Sequence, residues 1–263
     1  MVGSLLLRGM LVGVVAGLLA FGFARLFGEP EVDRAISFEQ MTRAGPHAHG
    51  DAHTRGEAHT STEAPEQELV SRATQSGLGL LTGIVVYGAA VGGLFALVFA
   101  FCYGRVGRVG PRATAAMLAL GAYVAVVLVP SIKYPANPPA IGQAETIGSR
   151  TLLFFLMIVI SVAALALAVM LARRLSAQFG TWNATILAGA AFVVVIAAVQ
   201  YGLPAVNEVP DQFSAAVLWR FRVASLGIHA VLWTTIGLLF GALTERAMAA
   251  QLGQPMAVRP LAR

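Results

Sequence analysis

Charged residues are scarce in this chain. Only 12% of its 263 residues are Asp, Glu, Lys or Arg, whereas 57% are hydrophobic, and the mean hydropathy is +0.74. A soluble globular domain carries about twice that share of charge, so the composition excludes that class and indicates an integral membrane protein. The net charge of +5 comes from arginines beside apolar runs, which is the positive-inside pattern, so we expect no nucleic-acid partner.

Cysteine occurs only once, at Cys102. A single thiol excludes an intramolecular disulfide, a thiolate metal cluster and a haem-attachment pair. Catalytic signatures are also missing, because the chain has no HExxH motif, no nucleotide-binding loop and no nucleophile beside a base. We therefore do not expect an enzyme. A transporter without an ATP-binding loop would be a channel, a gradient-driven carrier or dependent on another subunit.

Six apolar runs are long enough to cross the hydrocarbon core of a bilayer, which takes about twenty helical residues. Such continuous runs are helices and not barrel strands, because lipid offers no partners to unpaired backbone groups. Small residues, as in GAAVGGLFA of the second run, permit close helix packing. The sequence predicts an all-α, polytopic membrane helix bundle with six transmembrane helices, near residues 5–27, 78–103, 113–130, 151–172, 183–203 and 223–243.

Arginines flank alternate ends of these runs, and the positive-inside rule predicts that both termini are cytoplasmic. In this topology Glu245 is the only cytoplasmic acidic residue. The first run also has the basic start and apolar centre of a signal peptide. Because it is long and has no clear cleavage site, we expect an uncleaved anchor, with a cleaved signal as the alternative. The arginines that set the orientation are Arg8, Arg105, Arg108, Arg112, Arg173, Arg174, Arg246, Arg259 and Arg263.

Composition divides the chain into four segments. Residues 1–27 form the first transmembrane helix, and 28–76 are polar and poor in apolar residues, which predicts a flexible extracytoplasmic loop. Residues 77–245 form a five-helix membrane domain, and 246–263 form a cytoplasmic tail. The membrane domain contains two proline-rich outer loops, which we expect to be ordered, at residues 131–150 and 204–222.

Four of the five histidines lie together in the first outer loop, in PHAHGDAHTRGEAHT. Imidazole with carboxylate suits cobalt(II), nickel(II), zinc(II) and copper(II), and a flexible tract can wrap a cation without a preformed cage. The spacing matches no structural zinc motif. We predict weak, exchangeable metal capture, with an inert solvated linker as the alternative, by His47, His49, His53 and His59.

Prolines in both later outer loops should hold polar side chains at the outer mouth of the bundle. Proline cannot continue a helix and also restricts the residue before it, so we expect Pro130 to end the third span and a rigid cap to follow. The predicted outer-mouth polar cluster comprises Lys133, Tyr134, Asn137, Glu145, Arg150, Asn207, Asp211, Arg220 and Arg222.

The last span carries polar side chains on one helical face, at Arg222, Ser225, His229 and Trp233. An arginine at the bilayer centre costs about 2.5 to 3.5 kcal/mol, so the arginines of this span should stay near the interface or pair with a carboxylate. The carboxylates available on the same side are Glu208, Glu145 and Asp211. Glu208 has two open roles, as the counter-charge of the arginines or as an oxygen ligand for an entering cation. His229 lies deeper and is either a metal ligand or relay, or a hydrogen-bonded packing residue.

Three stretches resemble the CbtA family: ELVSRATQSGLGLLTG before the second span, KYPANPP followed by GQAETIGSRT before the fourth, and LPAVNEVPDQFSAAVLWRFRVASLG entering the sixth. The resemblance covers about residues 70–243. It implies a multi-pass protein of the bacterial inner membrane that is a cobalt transporter subunit associated with cobalamin metabolism. It also implies a small histidine-bearing partner, CbtB. The family is usually described with five spans, one fewer than we predict.

We therefore predict a membrane component of an uptake system for a divalent transition metal, foremost cobalt. Its partners would be the lipid bilayer, a CbtB-like subunit and, in a homo-oligomer, other copies of itself. We expect no tightly bound cofactor and transient binding of cobalt(II) or nickel(II), with Glu208 and His229 as candidate ligands besides the histidine tract. The alternative is a non-transporting membrane scaffold or metal-responsive partner-binding subunit, favoured by the lack of acidic residues deep inside any span.

Overall fold

The computed structural model describes residues 2–43, 71–105, 107, 109–139, 141–142 and 144–253, and in these ranges it contains helices and no strands. Its α-helices are α1 (Val2–Phe23), α2 (Glu29–Arg43), α3 (Arg72–Thr74), α4 (Leu80–Cys102), α5 (Pro111–Ala122), α6 (Val129–Lys133), α7 (Ala144–Gly202), α8 (Ala215–Thr235) and α9 (Gly241–Gly253). Four π-helical turns, Ala24–Gly28, Gln75–Gly79, Tyr123–Leu128 and Ile236–Phe240, join consecutive α-helices. The helix pairs α1–α2, α3–α4, α5–α6 and α8–α9 are therefore continuous rods.

Five helical stretches are long and apolar enough to cross a membrane: Val2–Thr42, Arg72–Cys102, Pro111–Lys133, Glu145–Gly202 and Ala215–Ala250. The prediction of an all-helical, polytopic membrane bundle is thus confirmed. The fourth predicted run lies within α7, and the fifth lies within it up to Gly202, which accounts for the difference between six apolar runs and five helical stretches.

Helix α7 is bent at Gly180, whose φ of 74° and ψ of 160° are not helical. A positive φ favours glycine, which has no Cβ to clash with the backbone. In a straight helix Met157 and Ile196 would be about 60 Å apart, yet both belong to one buried apolar cluster. The two arms of α7 therefore fold back on each other as a helical hairpin.

Helices α1 and α4 pack with their backbones in near contact. A Cβ added at Gly13 would overlap the carbonyl oxygen of Gly88, and one added at Gly92 would overlap that of Gly9. Glycines four residues apart on each helix create this close approach, as in other small-residue membrane interfaces. The close packing expected from GAAVGGLFA is confirmed.

The main apolar core lies between α1, α4, α5 and the α8–α9 rod. Phe240 meets Phe95 and Phe99 edge to face, with ring centroids 5.4 and 5.1 Å apart. Near one end of this core, Arg112 forms a 2.8 Å ion pair with Glu245. The starts of α1 and α5 and the residues of α9 thus lie together at one end of the bundle, since Arg8 also approaches Thr244 at 3.4 Å.

Pro130 lies inside a continuous helix, so the expectation that it ends the third span is wrong. The π turn before it shifts the register, and the Val129 N–H bonds the carbonyl of Val124, five residues back. In that register Pro130, which has no N–H, leaves the Ala125 carbonyl without its backbone donor. The Ser161 hydroxyl of α7 donates to this carbonyl. A neighbouring helix thus satisfies the group that proline cannot pair.

Residues 29–43 form helix α2, although we expected them in the flexible outer loop. Phe38 packs edge-on against Phe213 with ring centroids 5.0 Å apart, and Ala35 is buried in the same cluster as Ile141. These partners supply the apolar surface that the segment itself lacks, and tertiary packing is what stabilises most short helices. The predicted metal ligands of this loop lie outside the described residues: His47, His49, His53 and His59.

Candidate functional site

A cavity of about 260 Å³ lies at the end of the bundle that holds the α6–α7 and α7–α8 connections, here called the loop end. Its walls come from the α5–α6 rod, the connection after it, α7 and α8. Its polar lining residues are Ser131, Tyr134, Asn137, Arg150, Thr151, Ser225 and His229. Four of these, Tyr134, Asn137, Arg150 and His229, are predicted site residues, so the fold brings them around one space.

His229 reaches the cavity from α8 with a defined ring orientation. Its Nδ1 lies 2.9 Å from the carbonyl oxygen of Ser225, one turn earlier. Because a carbonyl only accepts, Nδ1 carries the hydrogen and the neutral ring keeps its lone pair on Nε2. Tyr87 of α4 lies edge-on to the ring, with centroids 6.5 Å apart. Metal-ligating histidines commonly bond a carbonyl through the second nitrogen in this way.

Glu208 is a buried carboxylate beside the cavity, with its side chain only 2% exposed. Its Oε2 accepts a hydrogen bond from Arg150 Nη1 at 2.5 Å, and its Oε1 accepts one from the Thr146 hydroxyl. Thr146 and Arg150 are one helical turn apart, so a single face of α7 holds the carboxylate. Arg150 also lines the cavity and is 28% exposed. The Glu208–Arg150 pair therefore joins the cavity wall to the α7–α8 connection.

The ion partner of Glu208 differs from the one that the sequence suggests. We expected Arg220 or Arg222, which follow Glu208 closely in the chain, but the hairpin of α7 instead brings Arg150 to it. Arg222 donates from Nη2 to Asn137 Oδ1 at 3.0 Å and from Nε to the preceding carbonyl at 3.4 Å. Arg220 is exposed. The charge of Arg222 is thus held by neutral oxygens of the α6–α7 connection.

The other predicted mouth residues lie at the loop end without lining the cavity. Glu145 and Asp211 are exposed, and Lys133 is half-buried at the end of α6. Asn207 is exposed, and its Oδ1 accepts the Val209 N–H at 3.4 Å. These positions do not contribute to the cavity wall.

Tyr134 links the two connections at the loop end. Its hydroxyl donates to the Pro204 carbonyl at 2.9 Å, and its side chain is almost fully buried. Burial raises the pKa of the Tyr134 phenol, so the group stays a neutral hydrogen-bond donor. A second tie lies one turn away, where the Gln200 amide donates to the Val129 carbonyl at 3.0 Å. The two bonds thus fix the end of the α5–α6 rod to the end of α7 and the start of the connection that follows it.

Sequence reasoning missed one partner of Glu208 and one cluster of charged residues between α2 and α3. The Thr146 hydroxyl donates a hydrogen bond to Glu208. The sequence could have indicated this role, because Thr146 precedes Arg150 by four residues in the GQAETIGSRT motif and so lies on the same helical face. A charged cluster also went unpredicted, in which Arg72 Nη2 contacts Glu29 Oε2 at 2.6 Å and Asp33 Oδ1 at 3.0 Å. This cluster fastens α2 to the start of the α3–α4 rod, where the i, i+4 spacing of the two acids was its only sequence signal.

The cavity can offer a cation only a few ligands. Within the described ranges, no group of three or more His, Cys, Asp or Glu side chains is arranged to hold a metal. His229, Ser131 and Asn137 line the space, but Asn137 Oδ1 already accepts a hydrogen bond from Arg222, and both oxygens of Glu208 also accept hydrogen bonds. An imidazole nitrogen with neutral oxygens suits weak, exchangeable binding of a borderline transition metal better than of calcium or magnesium.

A bundle of long apolar helices is the architecture of a multi-pass membrane protein. The chain belongs to the CbtA family, described as "Probable cobalt transporter subunit", whose family model matches residues 2–245. The resemblance read from the loop motifs is therefore confirmed, and the protein is a membrane protein of a cobalt transport family. No curated protein and no solved structure is similar enough to the chain to count as a match.

Proposed function

We propose that this chain is the membrane component of an uptake system for cobalt(II) or nickel(II), acting with a small histidine-bearing subunit of the CbtB type. The observation that carries the proposal is the loop-end cavity, which is lined by His229, Ser131 and Asn137 and by Arg150, the ion partner of Glu208. The family description supports the choice of cobalt. The chain needs no resident cofactor for this role and no catalytic step.

In this proposal, Arg150 stays in its ion pair with Glu208 when no metal is bound. A buried carboxylate without a counter-charge is strongly destabilising, so the guanidinium keeps Glu208 paired. An entering cation competes with Arg150 for the carboxylate and takes His229 Nε2 as a second ligand. Because Arg150 remains tethered nearby, it returns when the ion leaves. Competition of this kind keeps binding weak enough for release.

We further propose that the histidine tract collects metal before it reaches the cavity. His47, His49, His53 and His59 lie among the carboxylates of Asp51 and Glu57, and imidazole with carboxylate suits exchangeable binding of cobalt(II) or nickel(II). Replacing all four with alanine in the full-length chain should lower cobalt uptake at limiting metal and leave uptake at saturating metal nearly unchanged. Unchanged uptake at limiting metal would mean that the tract is only a linker.

For the topology, we propose six crossings of the inner membrane with both termini in the cytoplasm. The bend at Gly180 divides α7 into two arms, each longer than the roughly 20 residues that a crossing needs. The Glu208–Arg150 pair and the Tyr134–Pro204 bond support this topology, because they tie both ends of α7 to the loop end. In this arrangement the loop end faces outward.

A non-transporting membrane scaffold, or a metal-responsive subunit that binds a partner, is the second candidate function. The observation that favours it is the small number of ligands, since among the described residues no carboxylate lines the cavity and no three metal-binding side chains group together. A protein of this kind would respond to metal or anchor its partner without passing ions itself.

Cobalt uptake separates the two functions. Radioactive cobalt should accumulate in cells that express this chain together with its small partner, and less in cells that express either one alone. Glu208→Gln and His229→Gln should each abolish most of that gain at normal membrane abundance, whereas Asp211→Asn, an exposed acid of the same connection, should not. If no combination raises uptake although the proteins reach the membrane, the scaffold function is the better one.

A further inference from the structure

A groove lies between the two arms of α7, in the half of the hairpin nearest Gly180. Its volume is about 440 Å³, and it is distinct from the loop-end cavity. The walls are apolar, with Leu167 and Leu171 on the first arm and Phe192 and Val195 on the second. Arg174 is the one charged residue that lines it.

The hydrogen bonds that attach the hairpin to the α5–α6 rod lie in its other half. Ser161 bonds the Ala125 carbonyl, and Gln200 bonds the Val129 carbonyl. Toward Gly180, by contrast, large apolar side chains on both arms are exposed, including Leu167, Met170, Phe179, Trp182 and Ile186. The groove therefore opens toward lipid, where an acyl chain can enter it.

The charges beside the groove are unbalanced. Arg173 and Arg174 are exposed, and neither forms an ion pair with another described residue. The chain has no Asp or Glu between Glu145 and Glu208, so neither arm offers a carboxylate near the turn. Arginine binds phosphate oxygens through paired, charge-assisted hydrogen bonds. An unpaired arginine at the rim of an apolar groove fits an anionic amphiphile.

We propose that this groove is a binding site for one anionic phospholipid, with an acyl chain between the arms and the phosphate on Arg174. The aromatic residues Phe179 and Trp182 flank the turn, as aromatic residues do where helices meet the headgroup layer. The two arginines without carboxylates favour a lipid with net negative charge over a zwitterionic one. The bound lipid fills the space between the arms and fixes their separation. The site is independent of the metal proposal.

Native mass spectrometry of the purified, delipidated full-length protein tests this site. Titration with phosphatidylglycerol should give one tightly retained adduct, and phosphatidylethanolamine with the same acyl chains should bind much more weakly. Arg174→Gln should weaken retention of phosphatidylglycerol about fivefold, as expected for the loss of one surface cation. Arg174→Lys should keep most of the binding. Arg246→Gln, which removes an exposed charge from α9, should change nothing.

A second variant tests the apolar part of the site without changing charge. Ala168 lines the groove, so Ala168→Leu should fill it and reduce phosphatidylglycerol retention even if Arg174→Gln fails to fold. Three results would overturn the proposal. The first is equal binding of phosphatidylglycerol and phosphatidylethanolamine. The second is a loss of phosphatidylglycerol retention in Arg246→Gln as large as that in Arg174→Gln. The third is that Ala168→Leu displaces a copurifying protein and not a lipid.

Discussion

Glu208 is a single residue that serves both the stability of the protein and its proposed chemistry. Its carboxylate is out of solvent and accepts hydrogen bonds from Arg150 and Thr146, which compensate for its lost hydration. To bind a cation, the carboxylate must also be able to leave those partners. In the proposed function, the same ion pair stabilises the loop end when no metal is bound and releases its carboxylate when metal enters.

Breaking this pair from one side should be costly. Arg150→Gln leaves the buried charge of Glu208 uncompensated, and we expect a loss of about 3 to 5 kcal/mol in stability. Adding Glu208→Gln to that variant should recover most of it. Thermal unfolding in detergent measures both effects, with the exposed Arg220→Gln as the charge-matched control. If the double variant is stable but takes up no cobalt, Glu208 is a metal ligand. If the double variant is stable and still takes up cobalt, Glu208 has only a structural role.

Ser161 gives a second prediction at the scale of one side chain. Its hydroxyl is the donor to the Ala125 carbonyl, which Pro130 cannot pair. Ser161→Ala should therefore leave a buried carbonyl unsatisfied and cost about 1 to 3 kcal/mol. Ser176 bonds a backbone carbonyl on its own helix near the surface, so Ser176→Ala should be close to neutral in the same unfolding assay. Equal stability of the two variants would contradict this account of Pro130.

At the scale of elements, hydropathy alone was enough to predict that the apolar runs are helical, because about twenty apolar residues in lipid have no alternative structure. Hydropathy could not predict how far the helices extend beyond the apolar runs. The α2 helix depends on Phe213 and Ile141, and the helix across Pro130 depends on Ser161. These partners are distant in sequence and become neighbours only after packing. The same limit applies to the site, where Arg150 was identified but its pairing with Glu208, 58 residues away, was not.

The α1–α4 glycine contact yields a prediction at this scale. A methyl group at Gly13 would overlap the Gly88 carbonyl and force the two helices apart, whereas Gly22 has no neighbour within 4 Å of such a group. Gly13→Ala should cost about 1 to 3 kcal/mol, the range for overpacked cores. Gly22→Ala on the same helix should be neutral or slightly stabilising. Unfolding temperatures of the two variants measure the difference, and similar values would mean that the helices can separate at no cost.

At the scale of the whole molecule, the bundle has two chemically different ends. One end holds the Arg112–Glu245 pair and the contact of Arg8 with α9. The other holds the cavity, the Glu208–Arg150 pair and the connections into and out of α7. Because α7 starts and finishes at the loop end, its bend at Gly180 must lie toward the opposite end.

This geometry gives a direct test of the proposed topology. In a background with Cys102→Ala, Gln212→Cys lies in the α7–α8 connection and Gln178→Cys lies two residues before the bend. With six crossings and the loop end outward, an impermeant thiol reagent added to intact cells should label Gln212→Cys only. Gln178→Cys should react only after the membrane is opened, because the Gly180 bend would then face the cytoplasm. Labelling of both positions in intact cells would mean that α7 does not cross the membrane twice. Labelling of Gln178→Cys alone would invert the orientation and move the cavity to the cytoplasmic side, where it could not receive metal from outside.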